Sequence, residues 1–489
     1  MKIRQLFSAT LLLAIGAPTW AQTPTEELAR VLRAKQIITA AEFEQIVKAG
    51  PSGEVGQLAA ILREKGIITA AEAANLSGGA SPSAPTSVAS TAKPPSAGSA
   101  MVADRSGKQG DPGSESTRKL NFYGTLLFNA YFNDGASNNV DIPSFALPRT
   151  SGPQNNFGAT ARQTRLGLSY SGLTAAGANV SGTVEADFFG GAPALTNGVN
   201  MDIVRMRLAY GRLDWKRFAI EAGQDWTIFA PLNPTSFAEF AIPEFSASGN
   251  LWIRTPQIRT EWKSGLGKQR TFLWQLAALD PNIGDDLAAY TTARQPRAGE
   301  LGRLPSVETR LAFSSPIASR TATVGVSGHW GAAKNTNTIG GIAETRSFQS
   351  WGVAADYSLP ILSFLTISGE AFAGRALGVF SGGIAQTVQP LGQPGANGVG
   401  SRGGWLQVQL NLTKRWQSNT AYGIDAPVLG NLLSGSRSKN QSYMSNMVYR
   451  FSPNLAFALE WRRFLTNYRN QQAANNIGDH FNLAAAYTF

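Results

Sequence analysis

Sixteen stretches of this chain alternate apolar and polar side chains with a period of two, and no helical periodicity separates them. They fall at approximately 120–132, 162–171, 178–188, 202–212, 215–225, 255–263, 269–279, 305–313, 320–330, 348–358, 364–375, 403–412, 417–425, 442–451, 455–465 and 480–489. A strand sends successive side chains to opposite faces, so each stretch has one apolar and one polar face. Within 178–188, Ala178, Val180, Gly182, Val184, Ala186 and Phe188 alternate with Asn179, Ser181, Thr183, Glu185 and Asp187. Acids on one face and none on the other fit a wall between lipid and a watery lumen. A soluble sandwich also alternates, but the number of such stretches, with no helices between them, favours a barrel. The count is even, as a closed antiparallel bacterial barrel requires. The connections alternate as well: 314–319, 359–363 and 452–454 are short, whereas 133–161, 280–304 and 376–402 are long. Short periplasmic turns and long external loops follow in that order. The expected fold is all-β and transmembrane: a 16-stranded antiparallel barrel over residues 118–489, carrying a small N-terminal α-helical periplasmic extension.

The last stretch sets Phe481, Leu483, Ala485, Tyr487 and Phe489 on one face and His480, Asn482, Ala484, Ala486 and Thr488 on the other. It resembles the terminal strand of bacterial outer-membrane barrels, which closes against the first strand and whose C-terminal Phe serves assembly. Aromatics near strand ends, namely Tyr170, Tyr210, Trp262, Trp330, Tyr357, Phe451, Trp461 and Tyr487, fall on the apolar parity and are expected to form the interfacial girdles.

The other end of the chain points to export. Lys2 and Arg4 precede the apolar run Leu11 to Ile15 and then small residues to Ala21, which predicts a signal peptide over residues 1–21. Its apolar core is far shorter than the roughly 20 residues needed to cross a bilayer as a helix. The chain has no cysteine, which excludes a lipid anchor, a disulfide scaffold, a thiolate metal site and cysteine catalysis. Residues 22–77 hold a tandem repeat: Leu28-Ala29-Arg30-Val31-Leu32-Arg33 matches Leu58-Ala59-Ala60-Ile61-Leu62-Arg63, and Ile37 to Glu42 matches Ile67 to Glu72. Each unit reads as a helical hairpin. Leu28, Val31 and Leu32 form an apolar stripe. Gly66 suits a left-handed helix end that Gln36 occupies in the first unit, and Thr39/Glu42 and Thr69/Glu72 have capping-box spacing. Two hairpins make a small core, so they are expected to pack on each other, on sister chains or on a periplasmic or cell-wall partner, or to serve as a self-contained spacer. Residues 78–117, rich in Ser, Ala, Pro and Gly, read as a disordered tether.

Residues 118–489 carry 32 Lys and Arg against 22 Asp and Glu. Fixed positive charge attracts anions, and scattered single arginines on alternating strands do not form a nucleic-acid-binding face. The inward parity holds Arg165, Arg205, Arg207, Arg217, Arg259, Arg310 and Arg462 together with Glu185, Asp187, Glu221, Glu261, Glu308, Glu370 and Glu460. With Asp225, these bases and the acids Glu185, Asp187, Glu221 and Glu261 are the expected pore-lining or constriction residues. Either they oppose one another across the lumen as a transverse field, or they neutralise one another along the wall. Arg suits the first role because its fork binds carboxylate or phosphate bidentately without losing charge. The two histidines, His329 and His480, fall on the same parity, and the sequence shows no triad, phosphate loop or metal motif around them. No cofactor, no metal and no reaction are expected. Residues 226–254, with Phe229, Pro231, Leu232, Pro234, Phe237, Phe240, Ile242, Pro243 and Phe245, are too apolar for a loop bathed in water. They are expected to fold inward, or to pack on the rim or a sister subunit.

Arg165-Leu166-Gly167-Leu168, Val184 to Gly190, Arg205 to Gly211 and Ala222-Gly223-Gln224-Asp225-Trp226-Thr227-Ile228-Phe229 resemble, in order and spacing, the first third of DcaP-type outer-membrane porins. The resemblance covers residues 160–260 and continues beyond them as architecture alone. It implies a homotrimer in the outer membrane of a Gram-negative cell, with the N-terminal extension in the periplasm. Asp225 stands where Thr or Ser is expected in the Gly-Gln-x-Trp motif, so the solute is not carried over. The sequence therefore reads as a diffusion channel for small hydrophilic solutes with a preference for carboxylates or phosphate-like ions. The alternative is a structural or adhesive barrel anchored through its helical repeats.

Overall fold

The computed structural model describes residues 24–34, 36–50, 53–65, 118–148, 154–191, 202–267, 269–284, 296–317, 320–339, 342–390, 392–393, 395–471 and 476–489. The signal peptide, the second capping box and the tether lie outside these residues. The chain divides into two compact units, Met1–Ala92 and Lys93–Phe489.

In the first unit, α1 (Pro24–Ala34), α2 (Ala40–Lys48) and α3 (Glu54–Glu64) share a core of Ala29, Ile38, Ile46, Leu58 and Ile61, flanked by Leu32, Phe43 and Leu62. Gln36 takes a left-handed backbone (φ 60°) between α1 and α2. Thr39 Oγ1 accepts from Glu42 N (3.3 Å) while the Glu42 carboxylate accepts from Thr39 N (2.6 Å), completing the capping box. Those bonds and the nearby Lys65 hold the Glu42 carboxyl below its ordinary range. The apolar stripe of α1 differs from expectation, since Leu28 is half exposed and Ala29 is fully buried. A small side chain at that point lets three short helices approach closely.

The second unit is a closed antiparallel barrel. Its strands are β1 (Lys119–Asp134), β2 (Asn156–Thr160), β3 (Arg165–Ala175), β4 (Ala178–Asp187), β5 (Arg205–Asp214), β6 (Phe218–Trp226), β7 (Arg254–Gly265), β8 (Thr271–Leu279) and β9 (Ser306–Ile317). They continue as β10 (Arg320–Ile339), β11 (Ile342–Pro360), β12 (Leu365–Arg375), β13 (Gly400–Asn411), β14 (Trp416–Pro427), β15 (Arg437–Arg450), β16 (Leu455–Tyr468) and β17 (Asn476–Thr488). Both β2 and β3 pair with β1, on its second and first halves, so they form one strand position broken at residues 161–164. Sixteen positions result. β17 closes the ring against β1 from Thr125↔Thr488 to Asp134↔Asp479, and Phe489 exchanges two backbone bonds of 3.1 Å with Gly124. The C-terminal aromatic therefore completes the seam, its ring 5.4 Å from that of Phe122.

Outward positions such as Leu168, Val184, Met206, Ile258, Val353 and Leu483 are exposed and apolar, while their neighbours face inward and are polar, as Glu185, Arg207, Gln257, Arg259 and Asn482 are, or small, as Ala354 and Ala484 are. Two expectations change. The connection after β10 is not a long loop, because β10 and β11 pair on to Ile339↔Ile342 as one extended hairpin. Tyr210 does not join the girdle. Glu185 pairs with Leu208 and Ala186 with Met206, leaving Arg207 as an extra residue in β5. A bulge of one residue exchanges the faces of everything beyond it. Tyr210 thus stands opposite Gly223 and Arg212 opposite the buried Glu221, all inside.

Residues 227–253, between β6 and β7, run across the interior and are mostly buried. The connections after β1 and β12 also turn inward, and Phe145, Ala247 and Ile384 from the three segments pack together. Gly249 has φ +105°, and a Cβ there would lie 2.2 Å from Gly404 O, so only glycine lets the crossing segment touch β13.

Candidate functional site

On the wall from β3 to β8 the inward charges meet one another. Arg205 holds Asp187 bidentately (3.0 and 2.6 Å), and Arg207 bonds Glu185 (2.7 Å) and Asp187 (2.9 Å). Farther along, Arg212 contacts Asp214 (2.9 Å), Glu221 (3.2 Å) and Glu261 (2.7 Å). Arg259 contacts Glu221 (2.6 Å), Asp225 (2.9 Å) and Glu261 (3.2 Å), and Gln275 also donates to Glu261 (2.9 Å). Of the two arrangements considered from sequence, mutual neutralisation along the wall describes these residues. Guanidinium forks satisfy several carboxylate oxygens at once, which offsets the cost of taking the charges out of bulk water.

Two bases on this wall have no acid partner within 4 Å among the described residues. Arg165 and Arg207 both reach Phe240 O (3.4 and 3.3 Å), and Arg205 and Arg254 both reach Ala241 O (2.8 and 2.9 Å). Four guanidiniums therefore share two consecutive carbonyls of the crossing segment and only two carboxylates, Glu185 and Asp187. Arg165 lies 4.5 Å from the Phe240 ring centroid, and Arg254 4.4 Å from that of Trp226 and 5.2 Å from that of Trp252. The Nε atoms of Arg165 and Arg254 are buried without a hydrogen-bond acceptor. This patch holds a surplus of positive charge with spare donors.

On the wall from β9 to β16 the acids are used differently, because they bind the crossing segment. That segment has no ladder of its own, so its buried N–H groups need partners. Glu308 accepts from Thr227 Oγ1 (2.6 Å) and Ile228 N (3.2 Å), and Glu370 from Leu232 N (2.6 Å). Gln407 accepts from Thr235 N (2.7 Å), and Glu460 from Ser236 Oγ (2.7 Å) and Phe237 N (3.4 Å). The break between β2 and β3 supplies Gln163, whose Oε1 accepts from Phe240 N (2.7 Å) and Ala241 N (3.0 Å) while its Nε2 donates to Ala238 O (2.6 Å). Arg310 instead pairs bidentately with Asp356 (3.0 and 2.6 Å). Arg462 is fully buried against Glu239 and Glu244 of the crossing segment and also donates to Pro143 O.

Arg217 is the one site residue that leaves the interior. It shares the parity of Glu221 but lies in the β5–β6 turn and is exposed, its carbonyl accepting from Lys263 N (2.8 Å). Parity without a strand end overextended the row. The residues that sequence missed have definite causes. Arg212 was displaced by the bulge, Arg254 lies at the start of its strand, and Glu239 and Glu244 sit in a segment without periodicity. Asp425, from β14, accepts from Ile384 N (3.0 Å) and Ser401 Oγ, fixing the left-handed run at Ser381, Gly383, Ile384 and Ala385. The Gly-Gln-x-Trp signal did carry geometry: Gly223 has φ +131°, and a Cβ there would lie 2.2 Å from Ala209 O.

Both histidines are buried inside, as their parity implied. His329 Nδ1 bonds Glu308 (3.2 Å) and its Nε2 lies 3.3 Å from Ser350 Oγ, while His480 Nδ1 bonds Asn133 Oδ1 (2.7 Å). Ser350 Oγ donates to Ala376 O (3.0 Å), and the Phe380 ring centroid lies 4.7 Å from that of His329. The order Ser, His, Glu resembles a hydrolytic relay, yet its hydroxyl proton is directed to a carbonyl and an aromatic ring covers it. The arrangement instead supports the start of the crossing segment through Glu308.

No protein-family model matches the chain, and no curated protein matches it. Among solved structures, the outer membrane channel DcaP of Acinetobacter baumannii aligns with 77% of this chain and 99% of that chain, with a TM-score of 0.57 and 17% identity. An anion-selective porin from Comamonas acidovorans covers 76% of this chain and 100% of its own, with a TM-score of 0.47 and 12% identity. OmpF of Salmonella typhi, in complex with daunomycin, covers 77% and 99%, with a TM-score of 0.45 and 14% identity. The barrel shares the fold of the DcaP channel, as the resemblance in residues 160–260 implied. At these identities the likeness is one of fold.

Proposed function

We propose that this protein is an outer-membrane diffusion channel for small hydrophilic solutes, that it prefers anions, and that it works as a homotrimer. The observation that carries the reading is the patch of Arg165, Arg205, Arg207 and Arg254 on two carboxylates and two carbonyls, at the edge of a segment that crosses the barrel. Four guanidiniums on two carboxylates leave a positive surplus that attracts a small carboxylate or phosphate-like ion. Fixed charge in a narrow passage with low-dielectric walls acts more strongly than on an open surface, where the Debye length is about 8 Å at physiological salt. The outer membrane channel DcaP, with the same fold, supports the outer-membrane part of the reading, and the trimer rests on the resemblance in residues 160–260. Residues 22–77 form the periplasmic extension, and exposed Leu28, Ile37, Val47 and Val55 offer apolar surface to a periplasmic or cell-wall partner.

The test is a planar-bilayer recording of the purified full-length protein. Ohmic current arriving in triplets, with a reversal potential of anionic sign in a tenfold KCl gradient, is expected. A folded barrel that never conducts would leave the anchoring reading, with the helical repeats as the gripping part.

A further inference from the structure

The anchor of the crossing segment on β16 is unbalanced in charge. Arg462 is its cation, and three carboxyl groups surround it: Glu239 and Glu244 from the segment itself and Glu460 two residues away on the same strand. The Arg462 side chain and those of Glu239 and Glu244 are fully buried. Arg462 contacts Glu239 directly and Glu244 at 2.8 and 3.0 Å. One oxygen of each carboxyl, Glu239 Oε2 and Glu244 Oε1, is buried without a hydrogen-bond donor. A buried carboxylate oxygen without a donor is costly, and a proton on one of the two carboxyls lowers their charge and supplies the missing donor.

Among the described residues no second cation pairs with Glu239 or Glu244: Arg165, Arg207, Arg205 and Arg254 reach the carbonyls of Phe240 and Ala241 between them. From β17, His480 stands opposite Arg462 in register and is bonded to Asn133 of β1. From β15, Asn440, Ser442 and Asn446 are uncharged, and Asn446 donates to Glu460 (3.0 Å). From the first connection, Asp141 pairs with Arg162 (2.5 Å), and Pro143 offers only its carbonyl. Three ionised carboxyls on one guanidinium, out of contact with water, would repel one another in a medium where charge is poorly screened.

We propose that the crossing segment is seated on β16 by a proton shared between Glu239 and Glu244, and that the segment loosens and widens the passage as rising pH removes it. The released proton goes to bulk water, and the two carboxylates then compete for Arg462. The widening rests on the channel reading, whereas the loosening does not. Desolvation, the largest cause, raises both carboxyls above the ordinary range, Glu244 to about 8. The sign follows by linkage. A carboxyl whose pKa is higher in the seated state binds more protons there, so seating is strongest near pH 4.5 and weakens up to about pH 8. One linked proton changes the seating equilibrium by at most about tenfold per pH unit.

The experiment is hydrogen–deuterium exchange of the full-length protein in detergent from pH 5.5 to 8.5, corrected for the chemical rate and read on peptides spanning residues 235–247. The wild type should lose protection by about tenfold or more across that range, while Glu239→Gln with Glu244→Gln should change little. Equal loss in both proteins, or none in the wild type, overturns the proposal. Where the double variant fails to fold, Glu244→Gln alone serves, and it should shrink the pH response. Bilayer conductance over the same range separates the two readings. Current that rises with pH in the wild type and stays flat in the variant supports both. A barrel without current whose exchange still follows pH retains the latch and refutes the channel, whereas current without pH-dependent exchange refutes the latch.

Discussion

The two halves of the barrel wall spend similar residues in opposite ways. From β3 to β8, Arg205, Arg207, Arg212 and Arg259 satisfy Glu185, Asp187, Glu221, Asp225 and Glu261, so the charges belong to the wall. From β9 to β16, Glu308, Glu370 and Glu460 accept from the backbone or hydroxyls of the crossing segment, so the charges belong to the loop. A carboxylate that faces inward is therefore not by itself a pore-lining group. What decides its role is whether a guanidinium or an unpaired N–H lies nearest.

The comparison breaks most readily at Arg212. Removing one partner from a buried charge cluster costs about 3–5 kcal/mol, so Arg212→Met should destabilise the barrel by that order. Denaturant unfolding in detergent and heat-modifiability on gels would read it. An unchanged midpoint would mean that Arg259 alone satisfies Glu221 and Glu261, and that the wall is not a network. The loop side should respond more weakly and more locally. Glu370→Leu strands Leu232 N and Trp405 Nε1, at about 1–3 kcal/mol for an unsatisfied buried donor. The expected result is faster protease cleavage within 227–253 with the barrel's heat resistance retained. Global unfolding would show instead that the crossing segment is part of the barrel's own stability.

A functional effect separates the paired arginines from the spare ones. Arg165→Gln with Arg254→Gln should move the reversal potential toward cations more than Arg310→Gln with Asp356→Asn, because the second change removes opposite charges together. Equal shifts would place the selective region away from the Phe240–Ala241 carbonyls. The smallest effect is expected at Arg217, exposed in a turn. Arg217→Met should leave stability within about 0.5 kcal/mol and the reversal potential unchanged. A clear shift in selectivity would return that residue to the passage.

Much of the barrel could be read from alternation alone. Period-two burial depends only on which neighbours a strand faces, and membrane and lumen impose it on every strand. It located all sixteen positions, the inward parity of Arg205, Arg207, Arg259, Arg310 and Arg462, and the place of the crossing segment between β6 and β7. The reading failed where alternation is interrupted. The bulge at Arg207 turned Tyr210 and Arg212 inward, the break at residues 161–164 put Gln163 beside the crossing segment, and Arg217 fell past its strand end. Glu239 and Glu244 were beyond its reach, since an irregular segment has no period and their partner Arg462 lies on a strand distant in sequence, while Asp425 sits on β14 but its partner Ile384 lies in an irregular segment.

By itself, then, the sequence determined the closed barrel, its inward and outward faces and the capping box between the first two helices. These are short-range properties, set by side-chain polarity and by bonds between residues three apart. Only the tertiary structure decided which charges cancel, which hold the crossing segment, and that Arg165 and Arg254 keep donors free. A guanidinium binds whatever acceptor the closed ring brings within about 3 Å, and that choice depends on register, bulges and three inward segments at once.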